Sequence, residues 1–351
     1  MSSEARAFGE CPLPFVDREH VLLGHGSGGR LTAELIETLV LPAFHNPALA
    51  PLDDQAILTA GGARLAFTTD SYVVTPLFFP GGDIGSLAVH GTVNDLAMGG
   101  ARPLALSLAF IIEEGFPLAD LRRVIESARA AAANVGVPIV TGDTKVVGRG
   151  SADKLFVNTS GVGLVPDGVN LSSARVEPGD AVLVSGSLGD HGITILSQRE
   201  GLSLGGDLAS DTAPLHGLAA ALLAASPNAH ALRDPTRGGL GAVLVEIASR
   251  RKLGIELDER ALPVHEVVRG ACELYGLDPL LVANEGKLVA FVPAPEATAA
   301  LEALRAHPLG REARAIGRVT GEHPGLVALR TPVGGRRILD LPLEEPLPRI
   351  C

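Results

Sequence analysis

The sequence predicts two α/β domains in tandem, and three observations lead there. The chain has 351 residues, too many for one ordinary core and enough for two domains of roughly 150 residues each. Strand-like and helix-like runs alternate through the first half. The alternation lapses over Pro166–Gly179, where Pro, Gly, Asn and Ser cluster without an apolar period, and then restarts. We therefore expect domains at 1–168 and 169–336, with a flexible tail at 337–351.

The elements follow in order. His20–Leu23 reads as a short strand running into the glycine cluster Gly24–Gly29. Leu31–Leu41 has helical spacing, with Pro42 as its stop. Ala56–Leu58 and Arg64–Thr69 read as strands about a Gly61-Gly62 turn. Ile84–Met98 reads as a helix closed by Gly99-Gly100, Pro103–Ile112 as a strand, and Leu118–Val135 as an alanine-rich helix ending at Gly136. Strands at Val137–Thr141 and Leu155–Val165 complete the half. The second half opens with strand Ala181–Ser185 and a helix from Gly192, then helices at Leu215–Ala225, Leu240–Arg250 and Val264–Tyr275. Strands are expected at Leu288–Val292 and Leu326–Leu329. Pro342, Pro346 and Pro348 block a helix near the end and favour an extended tail.

Composition removes several classes of function. Asp plus Glu number 40 against 29 Lys plus Arg, so phosphate backbones and anionic lipid repel the chain, and neither nucleic acid nor membrane is expected as a partner. Aromatic residues are 3% and Trp is absent, which leaves little for base stacking. The longest apolar runs, such as Leu104–Ile112, fall short of a membrane span. Glu4 and Glu10 interrupt any apolar signal core, and three cysteines (Cys11, Cys272 and Cys351) make no disulfide framework, so a cytoplasmic location is expected.

Several motifs offer chemistry. The loop Gly24-His25-Gly26-Ser27-Gly28-Gly29 opens a helix, where successive N–H groups can cradle an anion; it reads equally as a glycine-rich turn. Its G-x-G-x-x-G spacing suggests a dinucleotide oxidoreductase, but no acid closes the next strand at the distance that site needs. Asp53-Asp54, Asp70, Asp95 and Asp143 stand beside strand ends and turns. Converging, such acids suit Mg²⁺ with substrate phosphates; singly, each suits a turn or cap. Asp95 lies inside an apolar helical pattern, where a carboxylate needs a partner.

Lys145 is the first of only four lysines, a compact charge kept where Arg is otherwise preferred, or a solvated surface residue. Asp234-Pro235-Thr236-Arg237-Gly238-Gly239 is a further polar-glycine turn before a helix. Glu285, in Asn284-Glu285-Gly286-Lys287, is a base or a turn residue. Cys351, the last residue, is a thiol on a proline-stiffened arm or an accident of a frayed end. No histidine or cysteine spacing suits structural zinc, and no serine nucleophile elbow is present.

Together the segments His25–Arg30, Asp53–Ala56, Thr68–Ser71, Val89–Met98, Thr141–Val147, Gly189–Gly192, Arg233–Gly239, Asn284–Gly286 and Pro348–Cys351 resemble the HypE family of hydrogenase-maturation proteins. That family sits in the superfamily of aminoimidazole ribonucleotide synthetase, selenophosphate synthetase and thiamine monophosphate kinase. The terminal Pro-Arg-Ile-Cys is the most family-specific feature. The resemblance implies an aminoimidazole ribonucleotide synthetase-like α/β fold, with N-terminal sheets pairing in a homodimer and ATP between the domains. It implies a HypF-type carbamoyltransferase that loads Cys351, ATP-dependent dehydration of the thiocarbamate to a thiocyanate, and delivery of cyanide to iron on a HypC–HypD complex. On this basis Asp54, Asp70 and Asp95 would bind Mg²⁺. Gly26, Ser27, Gly28, Gly29, Asp143, Thr144 and Lys145 would handle nucleotide phosphates. Lys145 would also polarise the carbamoyl group, and Glu285 would be the base. A selenophosphate synthetase would need a lysine near its N-terminal Cys, and none precedes Lys145.

Overall fold

Alternation along the edges of two sheets organises the chain. The computed structural model describes residues 20–202, 204, 207–342, 347 and 349–351. Cys11, Pro346 and Pro348 lie outside the described residues.

The first sheet uses β1 (Ala56–Ala60), β2 (Ala63–Tyr72), β5 (Arg102–Glu113), β6 (Ile139–Thr141), β7 (Thr144–Val147) and β8 (Leu155–Val165), with β3 (Phe78–Phe79) and β4 (Gly82–Asp83) as a separate small hairpin. Its order is β1-β2-β8-β5-β6, and β7 also pairs with β5. Ala66, Thr68 and Tyr72 of β2 point inward and are buried, while Phe67, Thr69 and Ser71 between them are exposed, the period of two expected of a strand. Helices α3 (Ile84–Met98) and α4 (Leu118–Val135) cover the inner face. Asp83 caps α3, accepting from the N–H groups of Gly85 and Ser86. The outer face is uncovered in the single chain: Phe67 and Ile111 lie on it, and Leu58, Leu104, Val140 and Val146 of the same sheet are also exposed.

The second sheet uses β9 (Asp180–Val184), β10 (Ala231–Arg233), β11 (Gly254–Asp258), β12 (Val289–Pro293), β13 (Arg314–Thr320), β14 (Val327–Arg330) and β15 (Arg336–Leu339), in the order β10-β12-β9-β13-β11-β14-β15. It is covered on both faces. Val182 and Val184 pack with Leu240, Val243 and Ile247 of α7 (Gly239–Arg251). Leu183, between them, packs with α6 (His216–Ala225) and α9 (Ala297–Ala306). A third cluster joins the halves: Tyr72, Val74, Leu87 and Leu155 meet Ile193 and Leu196 of α5 (Asp190–Glu200) and Val268 and Cys272 of α8 (Glu266–Tyr275). Among the described residues, no helix is long and apolar enough to cross a membrane.

Three expectations are corrected. His20–Leu23 is not a strand. Among the described residues no strand pairs with it, and Leu23–Gly26 closes a 3₁₀ turn in which Leu22 N–H donates to His25 Nδ1 at 2.9 Å. Pro42 does not stop its helix. After α1 (Arg30–Leu35) comes a π turn at Ile36–Val40, and the helical backbone continues through Pro42 in α2 (Leu41–Phe44), the widened turn standing next to the residue that lacks an N–H. The tail does not become free at 337: β15 pairs with β14 through Leu339, and Leu347 and Ile350 are buried in the cluster between the halves. Apolar burial outweighs the entropy of an extended end.

Candidate active site

Three of the five acids named from the sequence, Asp54, Asp70 and Asp95, line one cavity where the two halves meet; Asp53 and Asp143 do not. A cavity of about 200 Å³ is lined by Asp54, Thr68, Asp70, Tyr72, Asp95, Asp234, Arg237, Glu285 and Cys351, among others. β2 supplies Thr68, Asp70 and Tyr72 from its inward face. α3, lying across that face, supplies Asp95, the single acid within the helix. The turns after β10 and before β12 bring Asp234, Arg237 and Glu285 from the second half.

Most of these carboxylates hold one polar partner and have spare capacity. Thr68 Oγ1 donates to Asp95 Oδ2 at 2.6 Å. Tyr72 O–H donates to Asp70 Oδ2 at 3.1 Å. Arg233 Nε donates to Asp54 Oδ1 at 2.6 Å, while Asp54 Oδ2 is buried without a partner. Glu285 Oε1 is likewise buried and unpartnered. The Glu285 backbone is fixed: its N–H donates to Asp211 Oδ1 (3.0 Å) and its C=O accepts from Asn94 Nδ2 (3.1 Å). Asp211 is held in turn by Lys287 Nζ at 3.0 Å.

Burial, opposed by Arg233, pushes the Asp54 carboxyl up to about 6. Burial, and then the neighbouring carboxylates, push Asp95 and Glu285 well above the usual range. Asp234 is raised by burial and Asp54 against the pull of Arg233. Asp211 goes the other way, because Lys287, His191 and the Glu285 N–H together outweigh its burial. These buried acids repel one another and offer the oxygen ligands a hard divalent cation takes, but among the described residues no three of them bring ligand atoms within 4.8 Å of one another.

The glycine loop adjoins this cavity. Arg237 Nη1 donates to Gly26 O at 2.7 Å, and Gly28, at φ +95°, packs on Arg237 so closely that a Cβ would stand 2.8 Å from the Arg237 Cβ. Ser27 is buried and its Oγ donates to Gly24 O at 2.9 Å. Gly29 precedes α1 and receives the Ala33 N–H at its carbonyl.

Asp143, Thr144 and Lys145 stand elsewhere. Tyr72, Val157, Phe110 and Thr144 lie in register across β2, β8, β5 and β7, three strand spacings or about 14 Å. Lys145 sits opposite Ile111, on the face away from α3, and is exposed. Its Nζ bonds both Asp143 oxygens, at 2.7 and 2.6 Å. Within one chain, then, Lys145 does not share the cavity with Cys351. Asp53 is a cap rather than a cavity acid, accepting from Ser172 Oγ and Ser173 N–H. Asp234, Thr68, Tyr72 and Arg237 join the site without having been assigned to it from sequence. The turn Asp234–Gly239 was the available signal for two of them.

These two linked α/β units match the two domains of the AIR synthase related proteins. The N-terminal domain family of that description matches residues 52–165, and its C-terminal domain family matches residues 177–328. The carbamoyl dehydratase HypE of Azotobacter vinelandii is 58% identical over 327 residues, covering 93% of this chain and 96% of that protein. A crystal structure of a HypE–HypF complex superposes with a TM-score of 0.84 at 48% identity, covering 88% of this chain and 99% of that one. HypE crystallised in complex with ATP superposes at 0.80 and 50% identity, covering 95% and 100%. The chain belongs to the carbamoyl dehydratase HypE family.

Proposed function

We propose that this chain uses ATP to dehydrate an S-carbamoyl group on Cys351 to a thiocyanate, the source of a cyanide ligand for [NiFe]-hydrogenase iron. One observation carries the reading: the last residue of the chain lines the carboxylate cavity. A HypF-type carbamoyltransferase would load the thiol, a HypC–HypD complex would accept the cyano group, and the reaction would run in the cytoplasm. The solved HypE–HypF and HypE–ATP complexes support the first partner and the nucleotide.

The chemistry balances on these residues. A carbamoyl oxygen leaves poorly until it is phosphorylated. Transfer of the γ-phosphoryl group of ATP onto that oxygen releases ADP and costs the nitrogen one proton. The C–O bond then breaks as phosphate leaves, the second N–H proton goes, and S–C≡N remains. Glu285, which lines the same cavity as Cys351 and is buried with one oxygen unpartnered, is the base. Asp54, Asp70 and Asp95, joined by Asp234, would hold Mg²⁺, which neutralises charge on the transferring phosphoryl group when bound. Gly26–Gly29, beside Arg237, would take nucleotide phosphates.

Asp143, Thr144 and Lys145 serve that nucleotide from a second copy. The uncovered sheet face that carries Lys145 and exposes Phe67 and Ile111 supports a homodimer. Intact mass after incubation with the carbamoyl donor system and ATP tests the reading. Cys351 should gain the carbamoyl group and then lose one water, and Cys351→Ala should do neither. A mass change that persists in Cys351→Ala overturns it.

A further inference from the structure

The last three carbonyls of the chain all have donors. One oxygen of the Cys351 carboxylate accepts from Val73 N–H at 2.9 Å. Ile350 O accepts from His191 Nε2 at 2.8 Å. Arg349 O accepts from Thr75 N–H at 3.4 Å and from the Arg199 guanidinium. Arg199 Nε also donates to Thr75 O at 2.6 Å, so one side chain ties the tail to the segment that continues β2. Outside these bonds, Arg349 reaches Val73 O with Nε and Asp153 with Nη1.

His191 is built for this contact. It is fully buried in the first turn of α5. Ile350 O can only accept, so Nε2 carries the proton, and Nδ1 accepts from Ser210 Oγ at 2.7 Å. Ser210 is itself pinned through its N–H to Pro80 O at 2.9 Å. Phe79 stands edge-on to the imidazole, with ring centroids 5.6 Å apart. Neither His191 nor Arg199 lines the carboxylate cavity; both meet the tail one and two residues before the thiol.

We infer that His191 and Arg199 are positioning residues that grip the Ile350 and Arg349 carbonyls and thereby set the depth at which the terminal sulfur enters the cavity. A slip of one residue would displace the thiol by about 3.3 Å, more than a hydrogen-bond length of misplacement at the reacting group. A tail that docks exchanges carbonyl–water bonds for protein bonds, and a buried carbonyl left without a donor is costly. The docked depth is therefore available only where the donors wait. The inference rests on the dehydratase reading, and its test separates the two.

The first arm uses the full-length, unmodified chain. The rate of iodoacetamide alkylation at Cys351 is read from the mass of its C-terminal peptide, a measurement that needs no catalysis. His191→Phe keeps the ring packing and removes the donor; Arg199→Met keeps the stem and removes the guanidinium. Each should raise Cys351 alkylation at least about tenfold. The second arm follows single-turnover dehydration of the carbamoylated chain. The rate should fall by a similar factor while the KM for ATP stays constant, and His191→Gln, which restores an N–H donor, should recover part of it.

Folded variants that alkylate and turn over like the parent chain overturn the inference, as does a KM for ATP that rises in parallel. Should His191→Phe not fold, half-buried Arg199 still decides the matter. If the parent chain's carbamoylated Cys351 loses no water with ATP, the dehydratase reading fails, while the alkylation arm still judges the grip.

Discussion

Changing pH with and without Mg²⁺ probes the acid cluster most directly. Asp54 rises from the usual 3.8 to about 6 on folding. An acid with a higher pKa in the folded chain keeps a proton there that the unfolded chain has already lost. Stability contributed by that proton is present at low pH and is lost as pH rises through the window from about 4 to about 6. The rise corresponds to about 3 kcal/mol at pH above 6. Asp95, Asp234 and Glu285 are raised in the same sense, so the loss continues above that window.

A cation takes the place of the protons. With a pKa of about 6, Asp54 is roughly one-tenth ionised at pH 5 and nine-tenths at pH 7, so Mg²⁺ affinity should be about tenfold weaker at pH 5 from this group alone. Thermal unfolding at pH 5, 6 and 7 without nucleotide is the assay. Metal-free Tm should fall with pH, and Mg²⁺ should raise Tm far more at pH 7 than at pH 5. Asp95→Asn keeps an oxygen for the Thr68 hydroxyl and should stabilise the metal-free chain at pH 7 while blunting the Mg²⁺ response. A flat metal-free profile, or a Mg²⁺ effect as large at pH 5 as at pH 7, refutes the reasoning.

Glu285→Gln should accept the carbamoyl group but dehydrate it about 10²–10⁴-fold more slowly, read by intact mass against time; thiocyanate at the parent rate would remove it as the base. Phe67→Glu puts a charge on the uncovered sheet face and should yield monomers by light scattering, with turnover falling alongside; an unchanged mass in solution would count against the dimer through that face. Lys287→Met leaves Asp211 a buried, unpaired charge and should cost about 3–5 kcal/mol in urea unfolding, whereas a change below about 1 kcal/mol would show that the pair does not support the Glu285 turn.

Local pattern was enough wherever one face of an element decides its fate. The apolar run Ile84–Met98, closed by Gly99-Gly100, matched α3 end to end, and the glycines at 99, 100 and 136 marked helix ends. The two α/β halves could be read for the same reason. Short strands carrying outward charge were not legible. Gly254–Asp258 and Arg314–Thr320 are strands because each lies in a covered sheet, and Arg318 on one meets Glu256 on the other at 2.9 Å, which no single-segment pattern reports.

The site divides likewise. The family resemblance singled out Asp54, Asp70, Asp95, Glu285 and Cys351; residue chemistry by itself favoured only Asp95, a carboxylate inside an apolar helical pattern. Their convergence was a tertiary matter: Asp95 and Glu285 are 190 positions apart and line one cavity because the two halves pack together, with Asn94, beside Asp95, holding the Glu285 carbonyl. Sequence alone did not reveal that Asp53 is a cap while Asp54 faces Arg233, since two adjacent acids differ only in which way the backbone turns them. It also did not separate Lys145 from the cavity or assign His191 to the tail. Strand order and the docking of a chain end are set by contacts between segments far apart in sequence, and those contacts exist only in the folded chain.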